Sequence, residues 1–191
     1  MLMQFFPVPV AIEELSLDLP TMKDYAYKLK EKNVSAYKSN RGGWQSKPLI
    51  GEHLPLLDLR NAIKKHGENY RKIIGYKNPI IIKNMWVNIN GYKDCNMEHI
   101  HPNSIISGVF YIKVSGEKFG DGLLEFSHPS QYVMSGDWEP DLFEPNQFNN
   151  LQLNLKPAEN QLVFFPNWLV HAVSQNLSKK DDRISISFNL G

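Results

Sequence analysis

Two stretches early in the chain repeat apolar residues at intervals of three and four. In Pro20–Lys32 these are Met22, Tyr25, Ala26 and Leu29, with Thr21 available as a cap, and the spacing predicts an amphipathic helix. Leu54–Ile74 repeats the pattern through Leu56, Leu57, Leu59, Ile63, Tyr70 and Ile73, and Gly75 stops it. Between them Ser39–Pro48 (SNRGGWQSKP) reads as a loop, because a glycine pair and a closing proline suit neither regular element. From Pro79 the period shortens to two. Short β-branched and aromatic runs recur between turn residues: PIIIKNMWVNIN, SIISGVFYIKVS, GLLEF, LQLNL, QLVFFP and RISISFNL. Many short strands at near-regular spacing predict a mainly β protein, a sandwich or barrel, with the two helices outside one sheet. Met1–Ile12 is apolar but broken by Pro7 and Pro9, and reads as a first strand rather than a signal peptide. Ser130–Asn150 interrupts the rhythm with Asp137, Glu139, Asp141 and Glu144, two prolines, and the apolar anchors Trp138, Leu142, Phe143 and Phe148. A segment of that length is either a lid over a site or a solvated insertion.

The chain has 191 residues and a mass of 22.0 kDa, enough for one domain with one core. Folding at that size buries roughly 70% of the surface the unfolded chain exposes. The expected organisation is a single domain, 1–191, in which 1–78 supplies the first strand and supporting helices. The β core then occupies 79–191, with 130–150 inserted. Lys and Arg number 21 and Asp and Glu 20, a net charge of +1, which removes the electrostatic footprint of a dedicated nucleic-acid or anionic-membrane binder. The one cysteine, Cys95, excludes an internal disulfide framework and fits a reducing compartment. No stretch reaches the roughly 18 unbroken apolar residues of a membrane span. The expectation is a cytoplasmic protein acting on a small molecule or a side chain, with edge strands open to pairing in a homodimer.

Candidate chemistry lies in four places. His99 and His101 stand two apart, and residues i and i+2 of a strand share a face about 7 Å apart. Two such imidazoles either hold a metal ion or stand solvated at a strand end. His171 follows an apolar strand and a Pro-Asn turn (FFPNWLVHAV), as an interior histidine or a third ligand. In RISISFN, alternation puts Arg183, Ser185, Ser187 and Asn189 on one face and Ile184, Ile186 and Phe188 on the other. Only four of the 21 basic residues are arginine, and a guanidinium beside a hydroxyl is the pair that holds a carboxylate; solvent is the other destination for that face. Asn88 and Asn90 share a face shortly before His99, as donors to an oxo-acid or as outer polar residues.

The order of these pieces resembles the 2-oxoglutarate/iron(II)-dependent oxygenases. The narrower resemblance is to a family known mostly from hypothetical proteins. It rests on His99-Ile100-His101-Pro102-Asn103-Ser104 with Ser107-Gly108-Val109-Phe110-Tyr111, on Phe165-Pro166-Asn167-Trp168-Leu169-Val170-His171, and on Arg183 to Asn189. Gly43-Trp44-Gln45-Ser46 adds to it, and the likeness covers nearly the whole chain.

The resemblance implies a double-stranded β-helix, a cupin-like jelly roll with its metal in the open mouth. In the wider superfamily the second ligand is a carboxylate; here His101 stands in its place, so the implied site is three imidazoles, His99, His101 and His171, around Fe(II). A second register would start the motif at His101 and put Asn103 where the acid belongs. Glu98 would face the opposite side of a regular strand. The implied cosubstrates are 2-oxoglutarate, with its far carboxylate on Arg183 and Ser185, and O2. Asn88, Asn90, Tyr111 and Asn189 are implied further contacts. The implied reaction is a hydroxylation coupled to decarboxylation of 2-oxoglutarate, with Trp138 and Phe143 on a lid that folds onto substrate. His53, His66, His128 and Cys95 have no assigned part. Two rival readings remain: a three-histidine dioxygenase that ignores 2-oxoglutarate, and a non-catalytic jelly roll that binds a sugar or protein.

Overall fold

In a computed structural model, which describes residues 6–49, 51–115, 121–131, 144, 146 and 148–191, the chain forms two antiparallel sheets face to face, with two helices against one of them. The elements run β1 (Ala11–Glu14), α1 (Leu19–Lys32), β2 (Asn40–Arg41), β3 (Trp44–Gln45), α2 (Leu57–Ile73), β4 (Ile82–Asn90), β5 (Cys95–His99) and β6 (Ile106–Lys113). They continue as β7 (Leu124–Ser127), β8 (Gln152–Leu155), β9 (Gln161–Pro166), β10 (His171–Val173) and β11 (Arg183–Leu190). One sheet has the order β1-β9-β6-β11-β4-β3 and the other β2-β5-β10-β7-β8. The last eight strands therefore make two four-stranded sheets, 9-6-11-4 and 5-10-7-8, which is the jelly-roll order expected from the sequence.

Alternation decides what each face of the larger sheet does. Met85, Val87 and Ile89 of β4 and Ile184, Ile186, Phe188 and Leu190 of β11 point outward, onto α1 and α2. Met22 and Ala26 of α1 and Leu59, Ile63 and Tyr70 of α2 meet them, so the main core lies outside the jelly roll. Tyr70 stacks on Phe164 and donates its hydroxyl to Pro9 O at 2.6 Å, which ties the chain start to the helix. The opposite face of the same strands looks into the roll. There a smaller apolar cluster, including Val109, Phe126, Val163 and Phe165, fills part of the space, and polar side chains line the rest.

Several local expectations shift. The cap of α1 is Asp18, whose carboxylate accepts from Thr21 N at 3.1 Å and Thr21 Oγ1 at 2.6 Å, so Thr21 is the capped residue and not the cap. The second predicted helix begins as a short 3-10 turn, Leu54–Leu56, before α2 takes over. The Ser39–Pro48 loop holds β2 and β3, with Gly42 and Gly43 between them at φ of 65° and 56°. It adds an edge strand to each sheet, as β2 pairs with β5 and β3 with β4. The first strand lies at Ala11–Glu14, paired with β9. Trp138 and Phe143 lie outside the described residues. No helix among the described residues is long and apolar enough to cross a membrane.

Candidate metal centre

His99 ends β5 and His171 opens β10, and the two are direct partners across the antiparallel pair, so both imidazoles rise on the inner face. His101 lies two residues beyond the strand, where period-two alternation no longer applies. It reaches the same point because the turn after β9 clamps its backbone. His101 N donates to Asn167 O at 3.0 Å, and His101 O accepts from Asn167 Nδ2 at 3.1 Å and Ser104 Oγ at 2.9 Å. One nitrogen from each of His99, His101 and His171 lies within 4.8 Å of the others, the spacing of ligands around one ion. His101 Nε2 and His171 Nε2 are 3.1 Å apart.

The backbone sets which nitrogens face inward. His99 Nδ1 donates to Met97 O at 2.7 Å and His171 Nδ1 to Leu169 O at 2.8 Å, so Nε2 is the unprotonated nitrogen of each, turned to the cluster. Burial pushes His171 down to about 3 and His101 to about 4 from the ordinary 6.5, with neighbouring imidazoles adding to the shift. Burial lowers His99 too, against its hydrogen bond to Met97. All three are neutral near pH 7, the form that binds a metal. Phe165 packs edge-on to His171 at 4.6 Å between ring centres, and Trp86 lies 5.6 Å from the His101 ring. Asn103, the acid's place in the alternative register, is an exposed turn residue at φ 67° whose carbonyl accepts from Lys83 Nζ. Glu98 accepts from Ser127 Oγ at 2.6 Å and is outside the three-histidine group.

The inward polar residues of β11 and β4 do not face water. Arg183 is 2% exposed, Ser185 1% and Asn90 2%. Arg183 pairs with Asn90 in register, and Ser185 stands between Asn88 and Tyr111. The guanidinium donates from Nε to Gly122 O and from Nη1 to Ser185 Oγ, each at 3.1 Å, and lies 5.0 Å over the Tyr111 ring. Among the described residues it makes no ion pair. Tyr111 OH, Asn88 Oδ1 and Asn90 Oδ1 are likewise buried with no hydrogen-bond partner among the described residues. Burial raises the Tyr111 phenol, while the guanidinium beside it pulls the other way. Asn189 is committed elsewhere: it accepts from Ser107 Oγ at 2.8 Å and donates to Asn84 Oδ1 at 2.9 Å.

A cavity of about 560 Å³ joins the two groups. Its wall includes all three imidazoles, Arg183, Ser185, Asn88 and Asn189; Tyr111 and Asn90 are buried without lining it. It also includes residues to which the sequence reading gave no role. Trp86 and Asn84 share the inner face of β4 with Asn88, and the same alternation would have found them. Gln45 and Ser46 come from the early loop, where nothing in the spacing signalled a cavity. Asn167, the clamp on His101, sits inside the FPNW motif. The other histidines stand apart: His53 meets Tyr25 OH, His66 meets Glu13, and His128 accepts from Ser130 N.

Comparison with known proteins fits this geometry. No curated protein matches the sequence. Among solved structures, a Pseudomonas putida prolyl-4-hydroxylase superposes with a TM-score of 0.63 at 12% identity, over 95% of this chain and 92% of its own. HygX from Streptomyces hygroscopicus, with nickel and 2-oxoglutarate bound, gives 0.66 at 9% identity, over 96% of this chain and 83% of its own. The epimerase SnoN from nogalamycin biosynthesis gives 0.69 at 11%, over 96% of this chain and 76% of its own. At these identities the likeness is one of fold. Residues 84–189 match the family described as "Putative 2OG-Fe(II) oxygenase", a span of more than half the chain that holds the three imidazoles and Arg183. This chain belongs to that family of 2-oxoglutarate- and Fe(II)-dependent oxygenases, whose cosubstrates are 2-oxoglutarate and O2.

Proposed function

We propose that this protein hydroxylates a C–H bond of its substrate, with Fe(II) on His99, His101 and His171 and the far carboxylate of 2-oxoglutarate on Arg183 and Ser185. The balance is 2-oxoglutarate, O2 and R–H giving succinate, CO2 and R–OH. When bound, the iron supplies the activation of oxygen that no side chain can supply. The observation that carries the reading is Arg183, a guanidinium 2% exposed with no ion-pair partner among the described residues, on the wall of the cavity that holds the imidazoles. Arginine stays charged in proteins, and an unpaired buried charge costs several kcal/mol, so an anion belongs beside it.

The chain's own work is positioning. Met97 O and Leu169 O fix the tautomers of His99 and His171, and Asn167 holds His101 at the right depth. Ser185 Oγ, already accepting from Arg183, turns its proton toward a carboxylate. Tyr111 OH lies beside the guanidinium without a partner among the described residues, ready to donate to the same anion. Asn88 donates to Ser187 Oγ and keeps its own oxygen free toward the cavity; Asn90 braces Asn96 behind it. Asn189, satisfied at both ends, serves the wall rather than the ligand. Trp138 and Phe143 are proposed to cover bound substrate. The neighbours include an enzyme named as a hydroxylase and one named as an epimerase, and hydroxylation is the outcome that asks nothing further of the protein.

The test is calorimetric titration of the anaerobic Fe(II) protein with 2-oxoglutarate. Saturation at one per chain is expected, with Arg183→Met weakening it about 100-fold or more. Succinate and CO2 released in equal amounts on admitting O2 complete the expected result. Failure to bind, or undiminished binding by Arg183→Met, overturns the reading.

A further inference from the structure

Residues 36–48 lie outside the span matched by the family, yet Ala36, Lys38, Ser39, Arg41, Gln45 and Ser46 line the same cavity as the imidazoles. The segment is a built wall. β2 joins it to the edge of one sheet and β3 to the edge of the other. Ala36 N donates to Gln45 O at 2.8 Å, Lys38 N to Asn40 Oδ1 at 2.8 Å, and Trp44 Nε1 to Asn33 O at 3.0 Å. Val87 N reaches Ser46 Oγ at 3.0 Å, and Ser46 N returns to Val87 O at 2.9 Å. The reversal between the strands uses the left-handed backbone of Gly42 and Gly43.

Three side chains on that wall have polar groups to spare. Lys38 and Arg41 make no ion pair among the described residues. Among the described residues the Arg41 guanidinium gives protons only to the carbonyls of Asn40, at 3.0 Å, and Lys38, at 3.4 Å, and it stands over the Tyr37 ring. Gln45 is 8% exposed, lines the cavity, and its amide has no partner among the described residues. An amide on the cavity wall can exchange its water for an oxygen of a ligand. The other charges on the wall are Arg183 and Glu98, and Glu98 is bonded to Ser127.

We propose that the substrate carries an oxyanion group, received by Lys38 and Arg41 at the mouth with the Gln45 amide as a neutral donor deeper in. The proposal rests on the Fe(II) and 2-oxoglutarate reading of the site. In that reading three neutral imidazoles leave the ion's two charges to the two carboxylates of 2-oxoglutarate. Among the described lining residues, Arg183, Lys38 and Arg41 then stand against Glu98, a positive excess on that part of the wall. Low-dielectric walls focus that field outward, drawing in a carboxylate or a phosphate, and the arginine fork suits either.

The test uses protein loaded with redox-inert zinc(II) and saturated with 2-oxoglutarate, so that Arg183 is already occupied. Acetate and inorganic phosphate are titrated separately while the amide resonances of Ser39, Arg41 and Gln45 are followed. Saturable shifts by one or both anions are expected, the tighter one naming the oxyanion. Lys38→Met/Arg41→Met is expected to weaken the effect about tenfold, and Lys38→Arg/Arg41→Lys to restore it. No saturable shift in the wild type, or equal shifts in the methionine variant, overturns this inference. Wild-type affinity for 2-oxoglutarate on the same sample is read separately. If that is absent, the site reading falls and takes this inference with it.

Discussion

His171 stands directly opposite His99 across two antiparallel strands, with their ring centres 4.3 Å apart, so one rung of the smaller sheet presents two of the three candidate metal ligands at once. Burial makes the neutral ring the stable form: His171 titrates at about 3 and His101 at about 4, against 6.5 ordinarily. An unfolded chain therefore binds more protons than the folded one below pH 6.5, and stability falls as pH falls. This contribution is whole above pH 6.5 and is lost progressively down to about 3. The denaturation midpoint of the metal-free protein is expected to drop between pH 7 and pH 4.5, with His171→Leu flattening the slope. A midpoint indifferent to pH over that window contradicts the burial described.

Arg183 is a buried guanidinium without an ion-pair partner among the described residues, a group that suits an anion and costs the empty fold. Arg183→Met removes an unpaired buried charge and keeps most of the apolar volume. Metal-free protein carrying it is expected to be at least as stable as wild type in urea, while 2-oxoglutarate binding is lost. A loss of more than about 2 kcal/mol would mark the arginine as structural instead.

Asn167 bonds to the backbone of His101 rather than to its ring, and its own N donates to Ile105 O at 3.2 Å. Asn167→Ala removes the side-chain half of that clamp. Affinity for zinc(II), measured by competition with a chelator, is expected to fall 10- to 100-fold with the far-UV spectrum unchanged. Wild-type affinity in the variant would release Asn167 from this role.

Gly108 lies where Phe188 crosses from the neighbouring strand. A methyl group there would come within 2.3 Å of Phe188 Cζ and 2.5 Å of Val163 O. Gly108→Ala is expected to cost about 1–3 kcal/mol or more by thermal denaturation, because the backbone oxygen cannot yield as a side chain can. An unchanged midpoint would show that the sheet spreads freely at this point.

The long strands were legible because both of their faces are patterned. In β11, and in β4 from Met85 to Ile89, one alternate set is wholly apolar, and that set belongs to the main core. The opposite set was legible as chemistry, though not as location: the spacing of Arg183, Ser185 and Asn88 fits solvent equally well, and only the second sheet closing over them makes them interior. β5 and β10 carry too few apolar residues to announce themselves, since their inner face is the site. His101 was a candidate by strand alternation, yet it reaches the cluster from a turn, held by a residue 66 positions away in sequence.

Local pattern alone determined the strand-rich architecture, the two amphipathic helices and the three blocks that mark the family, because these depend on neighbours within a few residues. Which histidine atoms converge, whether an arginine is buried without a partner, and that residues 36–48 share a cavity with residue 171 depend on contacts between distant segments. Those were decided only when the two sheets closed, since hydrogen-bond register and burial between remote strands are properties of the packed whole.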